Sequence, residues 1–277
     1  MESRTAIVTG ASHGIGVYIT RAFAARGYAL LLVARSEADL ARVAEKLEHY
    51  YHAKVSIAAV DRAEPEAAST IVRVAERELG HVDVLVNNAA LELQRRFHLL
   101  DRDEIETVLR VDLHPPIELA HLLLPGMLER GYGRIVNISS LAGHIGLPFT
   151  EVYAAAKDGL IAFGRVLRND YRGSGVSASA VVLGAVKEAG IGQRTLDETG
   201  LKSSTAFMVT PARVAKAVLR AVETDKAELV LMPGPGKLLK ALLDRFPALG
   251  AAMNRLAGAE KLMGSVADYR EARARAS

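Results

Sequence analysis

The chain has 277 residues, half of them hydrophobic, a formal net charge of only +3, and no cysteine, which excludes disulfides, thiolate metal sites and cysteine nucleophiles. No apolar run approaches the roughly 20 residues that span a bilayer, no dense basic block interleaved with aromatic residues indicates nucleic-acid binding, and no histidine pair has metal-ligand spacing. We therefore expect a cytoplasmic protein with no transmembrane segment, no nucleic-acid partner and no metal.

Short aliphatic or β-branched runs alternate along the chain with longer segments of helical periodicity. The runs that predict strands are Thr5–Thr9, Ala29–Ala34, Lys54–Val60, Val82–Val86, Gly133–Ser139, Val176–Val182 and Ala227–Met232. The segments that predict helices include Ala38–Leu47, Ala67–Leu79 and Ile105–Leu128. Repeated alternation of strand and helix implies parallel pairing with right-handed crossovers. The prediction is an α/β fold with a Rossmann-like, doubly wound, seven-stranded parallel sheet.

The pattern changes after Met232, where a Pro/Gly segment leads into short amphipathic helices. We expect residues 1–232 to form one domain and residues 233–277 to form a C-terminal helical extension, packed on that domain or on a partner subunit. A second interpretation makes the extension a lid or a membrane-facing surface. The leucines and phenylalanine at helical spacing, and the basic residues beside them, are Leu238, Leu239, Leu242, Leu243, Phe246, Lys237, Lys240 and Arg245.

A glycine-rich turn, "TGASHGIG", follows the first strand and precedes a helix that begins near Gly14. Residues Gly10, Gly14 and Gly16 let the backbone approach a pyrophosphate, and the helix N-terminus supplies N–H donors. Because the turn lies between a strand and a helix, as phosphate binding requires, it predicts a dinucleotide site.

Further motifs occur in order behind this turn: "NNAA" (Asn87–Ala90), then Ser140, then Tyr153 and Lys157 four residues apart on one helical face. Together with the glycine-rich turn they resemble the short-chain dehydrogenase/reductase family, in its shorter single-domain TGxxxGxG and YxxxK branch. The resemblance covers about residues 4–232. It implies that residues 1–232 bind a dinucleotide and carry the catalytic site.

The end of the second strand indicates which dinucleotide is bound. A carboxylate there would accept from the ribose 2′-OH, whereas an arginine accommodates a 2′-phosphate. This chain has Arg35 followed by Ser36, with His13 in the glycine-rich turn, so we predict NADP(H). The alternative is that Arg35 is an ordinary solvent-facing arginine.

The resemblance extends the cofactor site along the sheet. Asp61 resembles the family's aspartate beside the adenine, and Asn87 its asparagine on the adenosine side, whereas we expect Asn88 to tie neighbouring strands together. The complete predicted set is Gly10, Ser12, His13, Gly14, Ile15, Gly16, Arg35, Ser36, Asp61, Asn87, Ala89, Tyr153, Lys157, Gly184 and Val186.

The resemblance also implies the catalytic roles. Tyr153 exchanges a proton with the substrate oxygen, Ser140 donates a hydrogen bond to that oxygen, and Lys157 bonds the nicotinamide ribose. A nearby ammonium stabilises a phenolate, so we expect Lys157 to lower the pKa of Tyr153 toward neutrality. Many members place an asparagine of a proton relay where this chain has Asp112, which we include as a relay candidate.

Other positions depart from the family. Leu183 replaces a usual proline, Glu188 falls where threonine is common, and Pro115 and Pro116 suggest a kink in the predicted long helix. The polar insert Lys187–Ser204 is either a lid over the substrate or an ordinary flexible loop.

The sequence thus predicts an NADP(H)-dependent oxidoreductase that interconverts a ketone or aldehyde and an alcohol, on a hydrophobic small molecule, as a homodimer or homotetramer. An alternative is an NADP(H)-binding regulatory or scaffold protein with weak or no catalysis. A third hypothesis is a lipid-associated reductase. Candidate substrate-pocket residues are Leu91, Leu93, Leu141, His144, Leu147 and Phe149.

Overall fold

The computed structural model describes residues 3–201, 208–256 and 258–276. Seven parallel strands form one sheet in the order β3-β2-β1-β4-β5-β6-β7. The strands are β1 (Thr5–Thr9), β2 (Ala29–Ala34), β3 (Val55–Ala59), β4 (Val84–Asn87), β5 (Gly133–Ser140), β6 (Val176–Leu183) and β7 (Glu228–Leu231). The predicted doubly wound parallel sheet is confirmed.

Strand β4 begins later than predicted because side chains take over the pairing at its start. The Asp83 carboxylate accepts from the Thr5 backbone N–H at 3.0 Å, and the Thr5 hydroxyl accepts from the Asp83 N–H at 3.0 Å. These reciprocal bonds satisfy backbone groups that would otherwise need ladder partners.

Helices cover both faces of the sheet. They are α1 (Gly14–Ala24), α2 (Glu37–Tyr51), α3 (Ala67–Leu79), α4 (Arg102–Asp112), α5 (His114–Glu129), α6 (Ala142–Ile145), α7 (Glu151–Asp170), α8 (Ile191–Thr199), α9 (Pro211–Thr224), α10 (Gly236–Arg245), α11 (Pro247–Leu256) and α12 (Ala259–Ala276). Buried side chains of α1, α2 and α9 pack on one face of the sheet, and those of α3, α5 and α7 pack on the other. Among the helices described, none is both long and apolar enough to cross a membrane.

The single helix predicted over Ile105–Leu128 is two helices. Leu113 leaves the helical conformation, with φ −122° and ψ −54°, and α5 restarts with prolines in its first turn. Proline has no N–H to donate and fits the first turn, where that donor would be unpaired. The break places Asp112 at the buried end of α4.

The sheet order reverses between β1 and β4, because the chain passes from the edge strand β3 back to the far side of β1. In open α/β sheets such a reversal opens a crevice at the carboxyl ends of the strands, where ligands bind. The turn after β1 and the segment after β4 therefore meet at one edge, and the site lies there.

Candidate active site

A cleft of about 1020 Å³ lies along this edge of the sheet. The predicted site residues that line it are Gly10, Ser12, His13, Gly14, Ile15, Arg35, Ser36, Asp61, Ala89, Ser140, Tyr153, Lys157, Gly184 and Val186. Three predicted residues do not line it, and these are Gly16, Asn87 and Asp112. The fold thus brings together residues that lie up to 176 positions apart in the sequence, from Gly10 to Val186.

The glycine-rich turn is shaped so that side chains cannot occupy it. Gly10 has φ +67°, and a Cβ atom there would lie 2.8 Å from the Ala89 Cα. Gly16 lies beneath the turn, where a Cβ would overlap the Gly10 carbonyl oxygen, so its role is packing rather than lining. His13, the N-cap of α1, forms no side-chain bond to the first-turn N–H groups. These donors fit the pyrophosphate of a dinucleotide.

We expect Gly10→Ala to disrupt this turn and raise the NADPH dissociation constant by about tenfold or more. Gly27→Ala is the matched control, because Gly27 has a similar φ of +75° but no atom within 4 Å of its added Cβ. The control should lose only about 1–2 kcal/mol of folding stability, which is the cost of placing alanine in the left-handed conformation. Titration of NADPH fluorescence measures binding, and equal affinity in both variants would contradict the role of the turn.

Arg35 stands at the adenosine end of the cleft with its side chain exposed. No hydrogen bond or ion pair with another described residue engages its guanidinium. The nearby Asp39 carboxylate is occupied by Arg42 and by His13 Nε2 at 3.4 Å. Ser36 caps α2, accepting from the Asp39 N–H at 3.3 Å. This end therefore offers a free cation and a carboxylate that already has partners.

The two asparagines at the end of β4 hold the sheet together. Asn87 is buried, and its Nδ2 donates to Asn137 Oδ1 at 3.0 Å, which ties β4 to β5. Asn88 Nδ2 donates to the Thr9 and Gly10 carbonyls at 2.9 and 3.2 Å, which ties β4 to the glycine-rich turn. The prediction that the Asn87 side chain lines the adenosine side is thus corrected, because that side chain points into the sheet.

Ser140 and Tyr153 meet at the centre of the cleft. Ser140 ends β5, Tyr153 lies in the first turn of α7, and both side chains line the cleft. The Lys157 Nζ lies 5.5 Å from the centre of the Tyr153 ring. The Ser139 hydroxyl donates to the Lys157 carbonyl at 2.8 Å and fixes α7 to β5.

The pKa of Tyr153 is raised well above its ordinary value, chiefly by burial. The charges of Glu92 and Asp112 raise it further, and the bond with Ser140 opposes them. This direction is opposite to the predicted lowering of the pKa of Tyr153. Burial also lowers the pKa of Lys157, and the positive charge of that lysine is balanced by Asp112. The phenol therefore holds its proton firmly.

Asp112 lies at the bottom of a buried cluster of charged side chains. Its Oδ1 accepts from the Leu91 N–H at 2.7 Å, and its Oδ2 lies 3.4 Å from Lys157 Nζ, an ion-pair distance rather than a tight hydrogen bond. Burial raises the pKa of Asp112, while the charges of Lys157 and Arg62 oppose this. Asp112, the predicted relay residue, therefore contacts Lys157 from beneath the cleft.

Arg62, which the sequence analysis missed, belongs to the same cluster. Burial lowers its pKa to about 10, and Asp112 and Asp61 act against that change. One terminal nitrogen donates to the Val111 carbonyl, whereas Nε and Nη1 have no hydrogen-bond partner among the described residues. An arginine directly after a strand-end aspartate carries no sequence signal of burial.

Glu92 is a second ionisable group that the sequence analysis missed. It is half-buried on the wall of the cleft, and burial raises its pKa to about 7, although a hydrogen bond with Gln94 and the charge of Arg270 oppose the rise. Because its charge also raises the pKa of Tyr153, the two groups are electrostatically coupled.

Glu92 predicts a pH-dependent stability. The folded chain keeps a proton on Glu92 between about pH 4.5 and pH 7, where the unfolded chain releases it. The free energy of unfolding should therefore fall as pH rises through this window, by about 2 kcal/mol, and level off above it. Urea unfolding at about pH 5 and about pH 8 measures this change in the free energy of unfolding, both for the unmodified chain and for Glu92→Gln. Parallel pH dependence in both proteins would contradict the assignment.

The substrate half of the cleft is apolar and is closed by the C-terminal helix α12. The apolar side chains there include Leu91, Leu141, Ile145, Leu147, Met208, Leu262, Met263 and Val266. Three predicted pocket residues lie elsewhere. Leu93 lines a neighbouring cavity of about 200 Å³, Phe149 lies outside both cavities, and His144 Nδ1 pairs with Asp244 at 2.8 Å.

Ionic contacts fix α12 to the segment after β4 and to α8. The Arg96 guanidinium pairs with Glu271 at 2.6 Å and with Asp268 at 2.7 Å. The Arg270 guanidinium donates to the Glu92 carbonyl at 2.8 Å and to the Thr195 hydroxyl at 3.1 Å. Helix α12 thus packs on its own chain and joins two walls of the cleft.

The predicted insert Lys187–Ser204 contains α8, with residues 202–204 outside the described part of the chain. Arg194 of this helix lines the cleft, and its charge, after burial, lowers the pKa of His13 in the glycine-rich turn. The insert is thus helical over the phosphate end of the cleft, whichever of its two predicted roles applies. Among the described residues, no group of three or more histidine, aspartate or glutamate side chains is placed to hold a metal.

Comparison with known proteins agrees with this geometry. A family model described as short chain dehydrogenase matches residues 4–199. Ketoacyl reductase HetN from Nostoc sp. is 36% identical over 235 residues, which cover 85% of this chain and 80% of that protein.

Two solved structures share the fold. An alcohol dehydrogenase from Thermococcus sibiricus, complexed with 5-hydroxy-NADP, is 26% identical with a TM-score of 0.71, covering 83% of this chain and 97% of that one. A metagenomic short-chain oxidoreductase in complex with NADP is 27% identical with a TM-score of 0.70, covering 82% and 96%.

Proposed function

Because the chain belongs to the short-chain dehydrogenase/reductase family of oxidoreductases, which bind NAD(P), we propose that it reduces the carbonyl of a hydrophobic ketone or aldehyde with NADPH. The observation that carries the proposal is the convergence of Ser140, Tyr153 and Lys157 on the wall of one cleft that also contains the glycine-rich turn. The bound nucleotide supplies the hydride, and the side chains supply the proton and the binding energy.

Different residues along the cleft would contact different parts of the nucleotide and of the substrate. The turn at Gly10 and the first turn of α1 would hold the pyrophosphate, and Lys157 would hold the nicotinamide ribose. Ser140 donates to the carbonyl oxygen, and Tyr153 gives that oxygen its proton as negative charge develops there.

The raised pKa of Tyr153 keeps on the phenol the proton that carbonyl reduction requires. A general acid must carry its proton at the working pH, and a phenol whose pKa lies above its ordinary value does so throughout the neutral range. The oxidation of an alcohol would need the phenolate instead. We therefore propose that Tyr153 enters the reduction in its protonated form.

Several observations favour NADPH over NADH. The exposed Arg35 has no partner among the described residues, and Asp39 beside it is engaged by Arg42 and His13. Two structural relatives, the proteins from Thermococcus sibiricus and from the metagenome, hold an NADP-type nucleotide.

We expect Arg35→Asp to lower kcat/KM for NADPH roughly 10- to 100-fold, because a charge-assisted bond to the 2′-phosphate is lost. The value for NADH should change little. Arg172→Asp, an exposed arginine outside the cleft, is the matched control. Steady-state rates with both nucleotides measure the effect, and an equal loss for NADH would exclude recognition of the phosphate by Arg35.

The test of the function is turnover of a panel of carbonyl compounds, from short polar ketones to bulky apolar ones, with NADPH in excess. We expect kcat/KM to rise with the apolar area of the substrate, because Leu141, Leu147 and Met263 line the cleft. Binding of NADPH without turnover of any compound would contradict the proposal and favour the regulatory alternative.

We also propose that α5 and α7 form the contact of a homodimer or homotetramer. Each exposes an apolar side chain in the single chain, Leu122 on α5 and Val166 on α7. Val166→Glu should lower the molar mass found by light scattering, and an unchanged mass would place the contact elsewhere.

A further inference from the structure

Helices α10 and α11 carry a continuous exposed apolar stripe. Its six members are Leu238, Leu242, Phe246, Leu249, Met253 and Leu256. Within each helix they are spaced three or four residues apart, so they share one face of α10 and one face of α11, and Phe246 lies at the break between the two helices. Leu238 is 61% exposed and Leu256 is 90% exposed. Side chains exposed to this degree in one row are unusual, since a soluble surface normally scatters its large apolar residues.

The opposite face of the same helices is fixed to the body of the protein, so the stripe cannot simply turn inward. Leu243 is buried, and a Cβ atom on Gly250 would lie 2.8 Å from the Ile145 Cα. The Asn254 amide donates to the carbonyls of Ile145 and Gly146 at 2.7 and 2.9 Å. These contacts hold α11 against α6 and direct the stripe outward.

The charges around the stripe are predominantly positive. Residues 236–263 contain five basic and two acidic residues, and one of the basic residues, Lys240, is buried and paired with Asp244 and Glu228. Arg245 and Arg255 are exposed beside the stripe. Of the two acids, Asp244 is already paired with Lys240 and with His144, each at 2.8 Å. The surface therefore complements a negatively charged partner.

The helix that follows the stripe in the chain lines the cleft. Helix α12 follows α11 directly in the chain, and its residues Leu262, Met263 and Val266 line the substrate half of the cleft. The C-terminal segment thus presents one apolar surface to the outside and another to the substrate.

We propose that this stripe, with Arg245 and Arg255, binds the surface of an anionic phospholipid bilayer. An amphipathic surface of this kind lies in the headgroup region, with its apolar side chains in the acyl boundary and its basic side chains at the phosphates. A second copy of the chain fits less well, because a two-fold contact through the stripe would bring like-charged arginines together. Docking there would draw apolar substrates from the bilayer toward the cleft.

The absence of tryptophan in the chain permits a direct test. Phe246→Trp places a single reporter in the stripe, and Tyr50→Trp places one at an exposed aromatic position on α2. With vesicles of phosphatidylglycerol and phosphatidylcholine, the first variant should show a blue-shifted emission that brominated lipid quenches. The second should not. No shift in the first variant, or equal shifts in both, would overturn the proposal.

Flotation of the full chain with the same vesicles provides the second measurement. We expect Phe246→Glu to lower the apparent vesicle-binding constant by about tenfold or more, and Tyr50→Glu to leave it unchanged. Vesicles of phosphatidylcholine alone should bind several-fold less. Thermal melting confirms that both variants are folded. If the full chain fails to float, or if Phe246→Glu lowers the molar mass in solution instead, the occupant is not a bilayer.

Discussion

The Tyr153→Phe variant is expected to bind NADPH as the unmodified chain does and to reduce ketones roughly 10²–10⁴-fold more slowly. In the proposed mechanism the phenol, which lines the cleft with Ser140 at the end of β5, gives its proton to the substrate oxygen. Phenylalanine keeps the ring and its packing but has no proton to give. Single-turnover oxidation of NADPH, followed by absorbance with saturating ketone, measures the loss in the chemical step.

A matched control separates chemistry from packing. Tyr171→Phe removes a hydroxyl near the end of the same helix, outside the cleft, and should keep full activity. Loss of NADPH binding in Tyr153→Phe would mean that the hydroxyl serves the cofactor and not the proton transfer. Full turnover by Tyr153→Phe would remove the tyrosine from the mechanism.

Asp112→Ala is expected to destabilise the fold by roughly 3–5 kcal/mol, because it leaves Lys157 without its buried counter-charge. The carboxylate is fully buried, contacts Lys157 Nζ at 3.4 Å, and accepts the Leu91 N–H. Asp112→Asn keeps an acceptor for the Leu91 N–H but removes the charge facing Lys157, so its loss should be smaller than that of the alanine variant. Urea unfolding at neutral pH measures both values.

The same pair of variants predicts a change in the pH profile. The charge of Asp112 raises the pKa of Tyr153, so a neutral side chain should lower that pKa. The alkaline fall of kcat, where Tyr153 loses its proton, should therefore shift to lower pH in Asp112→Asn. An unchanged profile, or a stability in both variants equal to that of the unmodified chain, would show that Asp112 carries no charge in this cluster.

The strands and the front of the site were predictable because their signals are local. Nearly continuous apolar runs fix β1, β2 and β6, and the glycines at 10 and 14 are required by their positive φ angles. The break at Leu113 was foreshadowed by Pro115 and Pro116, since proline alters backbone bonding wherever it stands.

The electrostatics of the site were not predictable, because they depend on burial that only the packed chain creates. The spacing of Tyr153 and Lys157 predicts their shared helical face but not the neighbouring charges of Asp112 and Glu92. Arg62 and Glu92 follow the tips of β3 and β4 and carry no motif. Their importance arises only when α4 and α12 enclose them.

The placement of Asn87 shows a second limit. Asn87 and Asn88 are adjacent at the end of β4, so their side chains point to opposite sides of the backbone. The sequence does not show which of the two side chains faces the cleft. The structure directs Asn87 to Asn137 in the sheet and places Asn88 on the cleft wall. The sequence also did not predict that α12 lines the cleft, because the pattern of an amphipathic helix does not show which surface its apolar face covers.

The most direct test of the central claim, that the cleft joins a hydride from NADPH to a proton from Tyr153, follows the fate of a labelled hydride. The chain is incubated with a reactive ketone and NADPH that carries deuterium on the transferable position, and the alcohol is analysed by mass spectrometry. We predict one deuterium at the carbinol carbon, formed at a rate that Tyr153→Phe lowers at least about 100-fold. Alcohol without label, or labelled alcohol formed equally fast by the variant, would contradict the account.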